Sequence, residues 1–178
     1  EKTLKMVGRD PLYELTGNQL MEINTLFQLM AVKERRPELL ERADALLLMP
    51  DLFQYFLSGE KISEKSIAST TQMMDMRQGK WAFGLLETLG LQAGMMRDIL
   101  PGAVRPGSRK ELGVPAMEVI AVAGHDTQSA MAAIPACEED FLFISCGTWG
   151  LFGTELTEPV ISEMSKKFNI TNEAGLEG

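Results

Sequence analysis

The hydrophobic pattern of this chain changes period at Met117, and that change restricts the fold more than any other feature. Upstream, apolar residues recur every three or four positions; Val119-Ile120-Ala121-Val122-Ala123 is instead a short β-capable run. It is followed at once by Gly124-His125-Asp126 and then by the small residues Ser129, Ala130, Ala132 and Ala133 on a helical period. The order strand, loop, helix predicts an α/β chain.

The upstream part reads as helical. Leu20, Ile23, Leu26, Phe27, Met30, Leu39, Leu40 and Ala43 fall at helical steps between Asn18 and Leu47, and Pro37 suits the first turn of a second helix. Pro50-Asp51 restarts a short helix carrying Leu52, Phe53, Tyr55 and Phe56, which Ser58-Gly59 closes with a left-handed position. A plain helical core accounts for these residues. The row Ser63, Ser66, Ser69, Thr70, Thr71 and Gln72 is too polar for a core helix and predicts a loop or an exposed helix start. Trp81 to Leu89 is helical again and ends at Gly90, while Pro101-Gly102 and Pro106-Gly107 mark turns in a connector. Downstream, Phe141 to Ser145 and Leu151 to Thr154 are β-type runs around the turn Gly147-Thr148-Trp149-Gly150, which predicts a hairpin.

Charge and composition exclude several function classes. The net charge is -8 and the 17 basic residues are scattered, which disfavours nucleic-acid binding. No run of about 18 apolar residues appears, so no membrane span is expected, and Glu1-Lys2-Thr3 does not lead into a signal peptide. A cytoplasmic location is the expectation. Cys137 and Cys146 lack metal-site spacing and read as reduced core thiols. The single histidine, His125, removes mechanisms that need two imidazoles and any zinc site of clustered histidines. Oligomeric state is not legible.

An aspartate just after an apolar strand stands where open α/β sheets place ligands. Phosphoryl transfer to a hydroxyl needs one carboxylate to take the proton and donors that hold the phosphates. Asp126 could supply the first, and the Gly147 and Thr148 amides with the Thr148 hydroxyl the second. Equally, Asp126 could be an ordinary helix N-cap, Gly147-Thr148 a plain hairpin turn, and His125 either hydrogen-bonded structure or a contact to a substrate hydroxyl. Spacing leaves these alternatives open.

Several segments taken in order resemble the rhamnulokinase branch of the FGGY carbohydrate kinases, in the sugar kinase, actin and Hsp70 superfamily. They are Leu15-Thr16-Gly17, Ile23 to Leu29, Leu48-Met49-Pro50-Asp51, Ser69-Thr70-Thr71-Gln72, Gly124-His125-Asp126-Thr127, Ser145-Cys146-Gly147-Thr148-Trp149 and Phe168 to Glu173. The resemblance implies an actin-like ATPase (ribonuclease H-like) fold and ATP-dependent phosphorylation of L-rhamnulose at its 1-hydroxyl, with Mg2+ on the phosphates. It implies Asp126 as general base, His125, Asp126 and Thr127 as the substrate loop, and Gly147 and Thr148 at ATP. A sugar and ATP are then the partners. Ser69 to Gln72 matches a first-domain motif whose other reading is local capping. Cys146 and Gly150 stand where serine is usual, and Ala174 where glycine is usual.

The family's glycine-rich phosphate loop and adenine region do not occur between Glu1 and Gly178. The resemblance therefore implies a fragment: residues 1–135 as the later part of the sugar-binding N-terminal domain, and 136–178 as the start of the ATP-binding C-terminal domain. Such a piece alone would turn over poorly. Two alternatives remain at this point, a kinase for another ketose such as fuculose or xylulose, and a non-catalytic actin-like nucleotide-binding protein.

Overall fold

A computed structural model of the chain describes residues 1–101, 104–105, 111, 113, 115, 117–138 and 140–176. Two helices that the periodicity did not announce come first, α1 (Lys2–Val7) and α2 (Arg9–Thr16). The expected helices follow as α3 (Thr25–Arg35), α4 (Pro37–Glu41) and α5 (Met49–Ser58). Pro37 opens α4, where its missing N–H costs nothing, and Gly59 ends α5 at φ 81.

From Ser63 the chain alternates short pieces: β1 (Ser63–Glu64), α6 (Lys65–Ser69), β2 (Met74–Asp75), β3 (Lys80–Trp81) and α7 (Phe83–Thr88). Next come β4 (Ile99–Leu100), β5 (Val104–Arg105), β6 (Val119–Ile120), α8 (Asp126–Ala132), β7 (Phe143–Cys146), β8 (Gly150–Gly153) and α9 (Glu163–Lys167). β1 pairs parallel with β4; β2 with β3, β5 with β6 and β7 with β8 are antiparallel. The expected hairpin is present, with Phe143 opposite Gly153 and Cys146 opposite Gly150. Gly102, Pro106 and Gly107, on which the two expected turns fall, lie outside the described residues.

One core joins α2, α3, α6 and α7. Leu12, Leu26, Leu29, Ala68, Met73, Leu86, Leu89 and Met95 pack together out of water, and the Trp81 indole N–H donates to Arg97 O at 2.6 Å. Burying each large side chain contributes about 1.5–3 kcal/mol.

Three expectations need correction. The polar row from Ser63 to Gln72 is not exposed: Ser63, Ser66, Ser69, Thr71 and Gln72 are all buried, most of them in or beside α6. Burial is tolerated because the side chains of Ser66, Ser69, Thr71 and Gln72 all find partners. Ser69 Oγ donates to Ser66 O, Thr71 Oγ1 to Ala68 O, and Gln72 bridges Asn18 and Asn24. Secondly, α5 is not a plain core helix, since Met49, Phe53, Phe56 and Leu57 are exposed. Thirdly, both cysteines are free but exposed rather than in the core, Cys137 in the link after α8 and Cys146 at the end of β7. Among the described residues no helix is long and apolar enough to cross a membrane.

Candidate active site

Residues 119–123 alternate in burial: Val119, Ala121 and Ala123 point into the protein while Ile120 and Val122 point out. This is extended chain with one face packed, as the β-type run predicted, although only Val119–Ile120 pairs with another strand. The chain then turns through Gly124 and His125 into α8.

That turn is held from below by the start of α6, in an arrangement the sequence did not disclose. Glu64, buried, caps α6 by accepting the Ser66 and Ile67 amides at 2.9 and 3.2 Å. The same carboxylate accepts the Ser66 hydroxyl at 2.6 Å and the Gly124 amide at 2.8 Å. Ser66 Oγ in turn accepts the His125 amide at 3.1 Å. Two successive backbone N–H groups of the loop thus end on side chains of one capping turn. Glycine suits this proximity, because a Cβ there would lie a tight 3.0 Å from Pro50 Cβ and 3.2 Å from Glu64 Oε2.

Beneath Glu64 lies Asp51. Its Oδ1 accepts the Glu64 amide at 3.0 Å, while its Oδ2 is buried with no hydrogen-bond partner. Burial first, and the neighbouring Glu64 charge to a smaller degree, push the Asp51 carboxyl up to about 6 against backbone hydrogen bonds that pull it down.

Asp126 is the first residue of α8, and its side chain is 99% exposed. The N-cap alternative does not hold in its usual form. His125 occupies the cap position with no side-chain cap bond, and Asp126 Oδ1 accepts only the amide and, at 3.5 Å, the hydroxyl of Thr127 beside it. The His125 ring is only 19% exposed, with Nε2 3.8 Å from Asp126 Oδ1 and Nδ1 3.3 Å from Glu173 Oε2. The Glu173 contact is a charge contact lying off the line of a well-directed hydrogen bond. Glu173 raises the His125 pKa, with help from Asp126 and Glu64 and against the desolvation of a half-buried ring.

Gly147 and Thr148 are exposed in the turn between β7 and β8. Among the described residues no hydrogen bond or ion pair joins them to the 124–127 loop. Nothing lies within 4 Å of a Cβ built at Gly147, so the chain's own packing gives no reason for glycine there. Ser69 and Gln72 are engaged internally rather than open to a ligand. Gln72 also has a left-handed backbone, φ 62, a conformation that costs a non-glycine residue of order 1–3 kcal/mol. Among the described residues no cluster of three or more His, Cys, Asp or Glu is set to hold a metal. Glu64, Ser66 and Glu173 are the residues here that spacing alone missed.

Residues 2–133 match the family model described as the N-terminal domain of the FGGY family of carbohydrate kinases. Over its whole length the chain is 40% identical to a rhamnulokinase of Bacteroides thetaiotaomicron, of which it covers 38%. It is 38% identical to a rhamnulokinase of Oceanobacillus iheyensis, with 98% of this chain and 38% of that one aligned. The chain thus spans a little over a third of these relatives. Among solved structures, a ligand-bound xylulose kinase from Lactobacillus acidophilus superimposes with a TM-score of 0.77 at 19% identity, over 92% of this chain and 34% of that one. A carbohydrate kinase from Novosphingobium aromaticivorans gives a TM-score of 0.70 at 21% identity, over 84% and 34% of the two chains.

Proposed function

The chain belongs to the FGGY family of carbohydrate kinases and has their mixed α/β, actin-like ATPase fold; from that premise we propose that it carries the sugar-phosphorylating site of a rhamnulokinase. In this reading the γ-phosphoryl group of ATP goes to the 1-hydroxyl of L-rhamnulose. Asp126 is the general base that takes the hydroxyl proton. His125 and Thr127 hold the sugar, and Gly147 and Thr148 meet the phosphates.

The observation that carries the proposal is the contrast at Asp126. The backbone just before it is tied down by Glu64 and Ser66, yet its carboxylate is almost wholly exposed and fills no structural role beyond its neighbour's amide and hydroxyl. A pinned loop presenting an unused carboxylate suits a group that must meet a reacting hydroxyl in a fixed place. The half-buried imidazole beside it can bond a second sugar oxygen. At Gly147 the space a Cβ would fill is open, so a phosphate could approach the backbone there, and the Thr148 hydroxyl is exposed beside it.

Mg2+ is commonly held by substrate phosphates and one or two carboxylates. It would neutralise phosphate charge during transfer. No side chain of this chain is assigned to it. We further infer that residues 1–135 belong to the sugar-binding domain and 136–178 begin the ATP-binding one.

The test is ADP release by the full-length protein with L-rhamnulose, L-fuculose and D-xylulose, repeated on Asp126→Asn. Rhamnulose should be turned over fastest, and the substitution should lower kcat by roughly two to four orders of magnitude with ATP still bound. Undiminished turnover by Asp126→Asn would remove the base from the mechanism; preference for another ketose would reassign the substrate.

A further inference from the structure

The segment from Phe168 to Glu173 takes no part in the chemistry described so far, yet it is fastened to the first helices residue by residue. Asn169, at φ 53, accepts the Leu20 amide through Oδ1 at 2.9 Å. Ile170 O accepts the Tyr13 hydroxyl at 2.7 Å. The Asn172 amide donates to Gly17 O at 2.9 Å and its side-chain nitrogen to the same oxygen at 3.0 Å, while Asn172 O accepts from Asn18 Nδ2 at 2.9 Å. The Ala174 amide donates to Ser69 Oγ at 2.9 Å. Glu173 sits between two fixed neighbours, and its carboxylate has little freedom to wander.

That carboxylate meets the substrate loop. Oε2 lies 3.3 Å from His125 Nδ1 and accepts from Gln128 Nε2 at 3.3 Å, and Oε1 accepts from Thr171 Oγ1 at 3.4 Å. A carboxylate beside Nδ1 selects the ring forms that carry a proton on that nitrogen. As a charge contact off the hydrogen-bond line, it draws the Nδ1 edge of the ring toward Glu173, which leaves Nε2 on the opposite side. On that side Nε2 is 3.8 Å from Asp126 Oδ1.

We propose that Glu173 is the positioning residue of this site, holding the His125 ring through Nδ1 so that Nε2 faces the space in front of Asp126, where a sugar oxygen would lie. The proposal rests on the reading of Asp126 and His125 as sugar-contacting residues. The charged groups facing the ring are Glu173 from the 168–174 segment, Asp126 from α8 and Glu64 from the start of α6. All three favour the imidazolium, and burial opposes it. With Glu173 in place, Nε2 stays a donor to higher pH than in an isolated histidine. Glu173 is assigned neither to the reacting hydroxyl nor to a phosphate, so its influence on turnover should pass through His125.

The experiment is a double-substitution cycle in the full-length enzyme, with Glu173→Gln, His125→Asn and the pair, reading KM for the sugar and kcat separately. Losing one bond to a charged group corresponds to a rise of about 10- to 100-fold in KM, with kcat little changed. In the His125→Asn background the same substitution should add less than about twofold, since interacting residues are non-additive. In parallel, carbon-13 labelled histidine is followed by NMR, the His125 signal being the one lost in His125→Asn. Its titration should move to lower pH in Glu173→Gln. Glu173→Asp, which keeps the charge but withdraws it from Nδ1, should move both readouts part of the way and serves if the Gln variant does not fold. Equal losses in both backgrounds, or an unmoved His125 titration, would overturn the role of Glu173 while leaving Asp126 as base. Full turnover by Asp126→Asn would instead overturn the kinase site, whatever Glu173 does.

Discussion

Replacing Glu64 tests how the candidate base is held. One carboxylate oxygen, Oε2, takes the Ser66 hydroxyl, the Ile67 amide and the Gly124 amide, and the other takes the Ser66 amide. In Glu64→Gln the remaining carbonyl oxygen can keep the first group of donors only by turning the new NH2 toward the Ser66 N–H, donor against donor. One buried donor is stranded, and the surviving bonds lose their charge assistance, which together cost about 2–4 kcal/mol. Glu64→Ala removes the helix cap and strands every donor, so the cost rises to about 3–5 kcal/mol. The loop should respond more sharply than the global stability suggests, because Gly124 is two residues before Asp126. Denaturant unfolding of the full-length protein and sugar-dependent ADP release on the same samples make the assay. The expected order is wild type, Gln, Ala in both stability and kcat, with kcat of the Gln variant down about tenfold or more when the base is displaced by as little as ~1 Å. If Glu64→Ala unfolds within about 0.5 kcal/mol of wild type, or the Gln variant keeps full kcat, the capping turn does not position the base.

Two further substitutions probe the same neighbourhood. The raised carboxyl of Asp51 disfavours the folded state once ionised: its contribution is fully present below the ordinary aspartate pKa and is lost as pH rises through about 6. Asp51→Asn should therefore flatten the stability profile between pH 4 and 8, gaining roughly 2–3 kcal/mol on wild type at the upper end; parallel profiles from melts across that range would refute the buried charge. Gly124→Ala pushes a methyl group against Pro50 and the Glu64 carboxylate. It should cost about 1–3 kcal/mol and lower kcat, both read in the unfolding and turnover assays above, whereas an unchanged melt would mean that the loop relaxes freely.

Some of this was legible in the residues because the signals are local. Pro37 at a helix start, Gly59 at a helix end, the glycine-bounded hairpin and the strand-loop-helix around His125 each follow from the conformations that single residues allow. The polar row at Ser63 to Gln72 was misread because polarity was taken for exposure. Its hydroxyls close on carbonyls three residues back or accept backbone amides far along the chain, and no local pattern reports that. For the same reason Glu64 drew no notice and Glu173 stood only as the end of a motif. Their partners, Gly124 and His125, lie 60 and 48 positions away. The exposed faces of α5 and β6 defeat periodicity in the opposite sense, since an apolar stripe says that a surface is to be covered without saying by what.

The bonds from Asn172 to Gly17 also bear on how the protein is made. They join residues 155 apart, and Gly17, at φ 64, admits no side chain because Ile161 already lies 3.0 Å from its Cβ position. At about 5–20 residues per second, the ribosome needs on the order of ten seconds between synthesising the two. Through that interval the end of α2 waits with the Gly17 carbonyl and the Asn18 side-chain amide unmet by their eventual partner, so chaperones that shield nascent chains should find the end of α2 and the loop after it accessible until residue 172 has emerged.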